Sequence, residues 1–192
     1  MPPDRLSLAR SARNLRDRLL HPWLRRLIVR RLARRPRPAT LLFVCHGNMC
    51  RSPYAAAVAR RLLPAEVSIA SSGFVGPDRP APPEAVAAAA ERHVDLSAHR
   101  SQLITLAHLR GAGLVVVMDE DQRHRVTDLR HALAGRVVLL GDLDPEPVEE
   151  RSVPDPLNQP IETFRATYDR IDRCVQALAA LWAERGGNQP QG

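Results

Sequence analysis

Four short aliphatic runs, TLLFVC (40–45), VSIAS (67–71), LVVVM (114–118) and RVVLL (136–140), constrain this chain more than any other feature. None alternates apolar with polar residues as a half-exposed strand does, so each reads as a strand buried on both faces. Helical stretches fall between and after them, at roughly 53–63, 83–92, 101–110, 120–134 and 160–185. Strands alternating with helices imply right-handed crossovers and an open α/β sheet: three layers, four parallel strands with helices on both faces. Ligands of such sheets bind at the carboxyl ends of the strands. A chain of 192 residues that is 44% apolar suits one such domain plus an extension.

Charge divides the chain near residue 38. The formal charge of +7 arises from 28 basic residues, all arginine, and 21 acidic ones. Residues 1–38 hold twelve arginines against Asp4 and Asp17, a net of +10, and the remainder is −3. Within 6–34, Leu8, Leu15, Leu19, Trp23 and Leu27 recur at helical spacing among arginines, an amphipathic pattern. Pro22 lacks an N–H and crowds the preceding turn, which predicts two short helices meeting near His21. RRPRP at 34–38 reads as a linker. There is no run of about 18 apolar residues to span a bilayer, no disulfide framework among three cysteines, and no secretory signal pattern at the start, so a cytoplasmic location is expected.

The first run leads into CHGNMCRSP, 45–53. Cys45, His46 and Cys50 have zinc-ligand chemistry, but a structural site takes four ligands, commonly from two knuckles, and no second pair is present; neither a metal nor another cofactor is expected. An anion cradle uses every residue. Cys45 closes the strand, the turn points successive N–H groups into one concavity, and a helix opening at Arg51 and Ser52 adds unpaired N–H groups and its dipole. Gly47 is expected to supply the positive φ that such a nest tends to need. Five residues separate Cys45 from Arg51, whose planar fork matches two phosphate oxygens, and the same field favours a thiolate at Cys45. A sulfur nucleophile would then face a bound phosphoryl group.

On these residues the segment resembles the phosphate-binding loop of the low-molecular-weight protein tyrosine phosphatases, which adds to a C-x5-R pattern the Gly-Asn pair, second cysteine and Ser-Pro found here. Ser71-Ser72-Gly73 is similar to that family's Ser-Ala-Gly segment. Asp95-Leu96-Ser97, His99 and Ser101 resemble its Asp-Leu-Ser-x-His-x-Ser stretch, Val117-Met118-Asp119 its third strand end, and Asp155-Pro156 its acid loop. The resemblance covers roughly 40–185. It implies a flavodoxin-like phosphatase domain at 39–186, with a basic amphipathic helical extension at 1–38 before it and a disordered tail at 187–192 after it.

The activity implied is that of a protein tyrosine phosphatase, a phosphoric monoester hydrolase. Cys45 attacks phosphorus, Arg51 holds the phosphoryl group, and Asp155 protonates the leaving phenolate and then activates water against the cysteinyl-phosphate. The resemblance assigns His46, Gly47, Asn48, Met49, Cys50 and Ser52 to phosphate binding and loop support, Asn48 through bonds within the loop and Ser52 by donating to the thiolate. Ser72, His99 and Asp119 are expected to steady the loop from behind. Cys50 is expected to shield Cys45 through a reversible disulfide. Asp142, Asp144, Glu146, Glu149 and Glu150 have no such support and read as a solvated acidic loop.

Where many relatives carry aromatics after Asp-Pro, this chain has Leu157-Asn158-Gln159, which removes a wall from the ring pocket. His46 and Phe74 are candidates to replace it. Two alternatives stay open: an arsenate reductase on the same scaffold, which needs further cysteines and has only Cys174, and a non-catalytic module acting through the arm. The implied partner is a phosphotyrosine protein such as a bacterial tyrosine kinase of surface-polysaccharide export. Residues 1–38 suit an anionic membrane surface, the inner membrane face, or a partner helix. Nucleic acid is not expected, because the arm has little aromatic interleaving and the domain is acidic.

Overall fold

A computed structural model describes residues 5–186, with side chains described from 11 to 183. Asp4, the side chain of Leu8 and the tail at 187–192 therefore lie outside the described residues. In chain order the elements are α1 (Arg5–Ala33), β1 (Thr40–Cys45), α2 (Arg51–Leu62), β2 (Ser68–Gly73), α3 (Pro83–Ala90), α4 (Leu106–Gly111), β3 (Leu114–Val117), α5 (Glu120–Leu129), β4 (Val137–Leu139) and α6 (Ile161–Gly186). Single 3-10 turns follow at His131–Arg136 and Leu140–Leu143.

The sheet order is β2-β1-β3-β4, every pair parallel. From β1 the chain crosses to β2 on one side and returns to β3 on the other, so the crevice between diverging crossovers opens at the carboxyl end of β1, where Cys45 sits. Side chains alternate between two cores. Leu41, Phe43 and Cys45 face the layer that includes Tyr54, Phe164, Tyr168 and Ile171, while Leu42 and Val44 face Leu109, Val126 and Leu133. Both faces are covered, which explains why the strands read as unbroken apolar runs.

Two expected helices differ. The stretch 101–105 is extended, because Gly73 N–H donates to the Gln102 carbonyl (2.8 Å) and Ile104 N–H to the Gly73 carbonyl (2.7 Å); only from Leu106, with Thr105 as N-cap, does a helix start. The helix at 120 ends at Leu129, and a 3-10 turn covers the rest of the expected span.

The proline-broken arm is corrected outright: α1 is one 29-residue helix with Pro22 inside it. An interior proline costs about 3 kcal/mol. Tertiary contacts on both sides of Pro22 oppose that cost. Asp17 accepts the backbone N–H of Arg151 (3.2 Å), and His21 Nε2 donates to the Gly141 carbonyl (3.1 Å), both side chains being buried. A charged and a neutral bond of this kind contribute roughly 2–4 kcal/mol together. Leu32 joins the core beside Leu41 and Leu178, with Ile28 and Val29 packed against it, so the arm is docked along the domain.

Candidate active site

Cys45 lies at the end of β1, 2% exposed, and its Sγ accepts two hydrogen bonds, from Asn48 N–H (3.2 Å) and Ser52 Oγ (3.0 Å). The loop closes because Asn48 takes φ 51° and turns its side chain inward. Its amide nitrogen donates to Ser52 Oγ (2.9 Å) and Ser71 Oγ (3.0 Å), while its amide oxygen accepts from Gln102 N–H (2.8 Å). The left-handed residue is thus Asn48 and not Gly47, a correction that follows from the bonds available: asparagine tolerates αL, and here its amide secures the turn on three sides. At Gly47 a Cβ would lie 3.2 Å from Arg79 Nη2, a tight approach to the end of a flexible side chain. Gly73 is the tighter constraint, because a Cβ would meet Asn48 N at 2.7 Å and the His46 oxygen at 2.9 Å.

Helix α2 begins at Arg51 without a side-chain cap from Cys50, and Pro53 occupies its first turn, where an N–H would have no helical partner. The helix is held by a stack of Tyr54 on Tyr168, ring centroids 3.8 Å apart and 4° from parallel, and by Tyr54 Oη donating to Asp172 (2.9 Å). Burial and Asp172 together push the Tyr54 hydroxyl well above its ordinary range, so it remains a donor.

Arg51, 3% exposed, spans from the loop to the opposite wall. Its Nη1 donates to the Val153 carbonyl (3.0 Å) and lies 3.8 Å from Asp119; its Nη2 is in contact with the Asp155 carboxylate. Its Nε is buried and has no partner among the described residues, a donor left over for an anion. Asp155 is aimed by its loop. Val153 N–H donates to the Met118 carbonyl (2.8 Å), anchoring the segment at the end of β3, and Leu157 N–H donates to Asp155 Oδ1 (3.3 Å). Asp119 caps α5, accepting from Gln122 N–H (2.8 Å).

His99 Nε2 donates to the Asn48 carbonyl (2.7 Å), directly behind the loop. Ser72 contributes only its carbonyl, which accepts from Ser52 Oγ (3.4 Å); its hydroxyl has no partner among the described residues, and the neighbouring Ser71 makes the side-chain contact instead. A cavity of about 140 Å³ over the sulfur is lined by Cys45, Met49, Arg51, Val75, Arg79 and Asp155, among others. His46 and Leu157 also border it, but Phe74 does not. Phe74 packs toward the other core and lies under the Arg125 guanidinium, 3.9 Å from ring centroid to Cζ, so it supplies no wall. Arg79, not anticipated from sequence, donates to the carbonyls of Gly47 (3.2 Å) and Val75 (2.6 Å) and forms the cleft rim. No local motif marks it, because its partners are backbone atoms.

The three cysteines are free thiols. Burial first, and the neighbouring Cys45 second, push the Cys50 thiol up to about 12. Cys174 is buried on α6 near Asp144, Arg170 and Arg173, away from the loop. Among the described residues no group of three or more His, Cys, Asp and Glu is arranged to hold a metal ion.

The acidic stretch is not a solvated loop. Asp142 is gripped by Arg151 through two bonds (2.6 and 2.7 Å), and Asp144 by Arg170 and Arg173 (3.1 Å each). Both carboxylates are buried, while Glu146 and Glu149 remain outside. A carboxylate buried with two arginines exchanges hydration for fixed bonds, a pattern that isolated acidic residues in a sequence do not disclose.

A family model described as low molecular weight phosphotyrosine protein phosphatase matches residues 40–186. Among curated proteins, the probable low molecular weight protein-tyrosine-phosphatase EpsP of Ralstonia nicotianae is 36% identical over 139 residues, covering 72% of this chain and 92% of that protein. Wzb of Escherichia coli K12, a protein of the same description, is 34% identical over 149 residues (76% and 97%). Among solved structures, the YwlE arginine phosphatase of Geobacillus stearothermophilus superposes with TM-score 0.71 at 27% identity (80% and 99%), and Vibrio vulnificus Wzb in complex with benzylphosphonate with TM-score 0.67 at 32% identity (73% and 97%).

Proposed function

The chain belongs to the low molecular weight phosphotyrosine protein phosphatase family, and from that premise we propose that it hydrolyses phosphotyrosine in proteins through a cysteinyl-phosphate on Cys45. The observation that carries this reading is the sulfur of Cys45 accepting from Asn48 N–H and Ser52 Oγ–H at the base of a cleft that also holds Arg51 and Asp155. Both donors meet the one atom that attacks phosphorus and later departs from it.

In the first step the sulfur lone pair forms the S–P bond as the P–O bond to the phenol breaks. The three phosphoryl oxygens meet loop N–H groups, the opening of α2 and the Arg51 guanidinium. The incoming dianion competes with the Asp155 carboxylate for that guanidinium. A carboxylate displaced from it is free to carry a proton to the leaving oxygen. In the second step Asp155 takes a proton from water as water attacks phosphorus, and the departing sulfur regains the Ser52 and Asn48 bonds. Asp119 and His99 act on orientation: one flanks Arg51, the other holds the Asn48 carbonyl.

The physiological partner on this reading is a tyrosine kinase of surface-polysaccharide export, met at the cytoplasmic side of the inner membrane. Helix α1 serves to bring the enzyme to an anionic surface or a partner helix. Cys50, the second thiol of the loop, closes on Cys45 once a peroxide has oxidised it to the sulfenic acid, forming the S–S bond as water leaves. Arsenate reduction is disfavoured by the position of Cys174 in the α6 core. With Leu157, Asn158 and Gln159 where a ring wall would stand, the decisive assay offers phosphotyrosine and phosphoarginine peptides to the wild type and Cys45→Ser. Turnover of phosphotyrosine by the wild type alone is expected. Preference for phosphoarginine would overturn the substrate assignment, and turnover by Cys45→Ser would overturn the nucleophile.

A further inference from the structure

Helix α1 is two-faced, and only one face is used. Asp17, His21 and Leu32 are buried against the domain, with Ile28 and Val29 packed beside them. On the opposite side Leu15, Leu19 and Trp23, spaced four residues apart, are 60%, 69% and 62% exposed, and Leu27 continues the row. The exposed residues Arg16, Arg18, Arg26 and Arg30 flank this stripe. Asp17, the one acidic residue in this part of the helix, is buried, accepting from Arg151 N–H and pairing with Arg16 (3.4 Å), so the outward face presents apolar side chains and the guanidinium groups of Arg18, Arg26 and Arg30 with no carboxylate among them.

We propose that this face docks the enzyme on an anionic lipid surface, α1 lying in the interfacial plane. This deepens the phosphatase reading and rests on it for the orientation drawn below. Charge selects the occupant. A second copy of the helix would set arginines against arginines, whereas lipid phosphates meet them while Leu19 and Trp23 enter the acyl boundary. Tryptophan with arginine is the pairing suited to that boundary, the ring amphipathic and the guanidinium able to snorkel. No helix among the described residues is long and apolar enough to cross a membrane, so the contact is peripheral.

The docked face sets where the active site points. At one end of α1, Arg13 lines a groove of about 380 Å³ together with Arg51, Asp119 and Asp155. Toward the other end, Arg31 and Arg35 donate to the Gly135 carbonyl, just ahead of β4 and so at the amino ends of the parallel strands. The helix therefore runs from the catalytic rim to the base of the strands. Laid flat on a bilayer, it directs the cleft sideways along the surface, toward phosphotyrosines held close to the membrane.

The test is co-sedimentation of the full chain with phosphatidylglycerol and with phosphatidylcholine vesicles, alongside turnover of a soluble aryl phosphate. The chain is expected to sediment with the anionic vesicles, to be released by salt, and to show a blue shift of Trp23 emission, since Trp182 is 2% exposed and already dry. Leu19→Glu with Trp23→Glu is expected to weaken partitioning at least about tenfold while leaving soluble turnover intact. Equal binding to both lipids, or none, with turnover intact overturns the membrane assignment and leaves the phosphatase standing. Concentration-dependent dimerisation abolished by the same variant would assign the stripe to a second copy instead. Absence of turnover with vesicle binding retained would count against the phosphatase reading alone.

Discussion

Two arginine–carboxylate clusters are built on aspartates of the stretch 142–155, and they serve opposite ends. Asp142 and Asp144 are 2% and 0% exposed, and Arg151, Arg170 and Arg173 bond directly to their carboxylates. The Asp155 side chain is 41% exposed and shares Arg51 with Asp119 and the Val153 carbonyl. A buried carboxylate that loses its partner leaves a stranded charge, at about 3–5 kcal/mol. The Asp155 carboxylate has water to turn to, and Arg51 keeps the Val153 carbonyl and the nearby Asp119 when it leaves. The same chemistry thus fixes the backbone in the first cluster and can let go in the second, where letting go is what the reaction requires.

Parallel substitutions sharpen that contrast. The largest effect is expected from Asp155→Asn: kcat/KM, which reports the step in which the leaving group departs, falls about 10²–10⁴-fold for a substrate with a poor leaving group and far less for p-nitrophenyl phosphate, with an unchanged melting temperature. Asp144→Asn should do the reverse, lowering unfolding free energy by about 3–5 kcal/mol in urea titration while activity per folded molecule holds. Arg51→Lys keeps charge and loses the fork, so kcat/KM should drop about 10²–10³-fold at constant stability; Arg151→Lys should cost about 1–3 kcal/mol of stability at constant kcat/KM. If either pair of substitutions behaved alike, the division between movable and fixed clusters would be wrong.

A smaller effect belongs to the seam between α1 and the fixed cluster. His21 faces the Gly141 carbonyl, Asp142, Asp144 and Arg170, and burial, the leading cause, holds it below its ordinary value of 6.5. A histidine kept neutral by the fold contributes stability that is complete above that ordinary value and is lost as pH falls through it toward the lower folded-state value. The protection factors of α1 amides, which correct exchange for its intrinsic pH dependence, should therefore fall as pH is lowered through about 6.5, and the change should flatten in His21→Asn. An unchanged profile in the variant would remove His21 from the docking of α1.

What could be read from the sequence was what is local. The strands were legible because burial on both faces imposes unbroken apolar runs, and the cradle because Cys45 through Ser52 carries its own thiol, turn and helix start within eight residues. Asn48 at positive φ escaped because glycine is the usual occupant, and only the contacts to Ser71, Gln102 and His99 reveal why asparagine serves. Pro22 misled because propensity cannot see Asp17 and His21 bonded to segments more than a hundred residues away. The buried pairs of Asp142 and Asp144 and the rim position of Arg79 are likewise tertiary, made by partners without a sequence pattern. Phe74 misled because its place in the chain, beside the loop, says nothing of which side of the sheet its ring takes.

The central claim is that Cys45 becomes phosphorylated inside the cradle. Asp155→Asn, mixed with p-nitrophenyl phosphate and quenched in acid, should accumulate the intermediate, because the leaving group needs no acid while the second step lacks its base. Peptide mass spectrometry should then place one phosphate on the peptide containing Cys45, absent in Cys45→Ser. A phosphate on any other residue, or continued turnover with Cys45 never modified, would contradict the account.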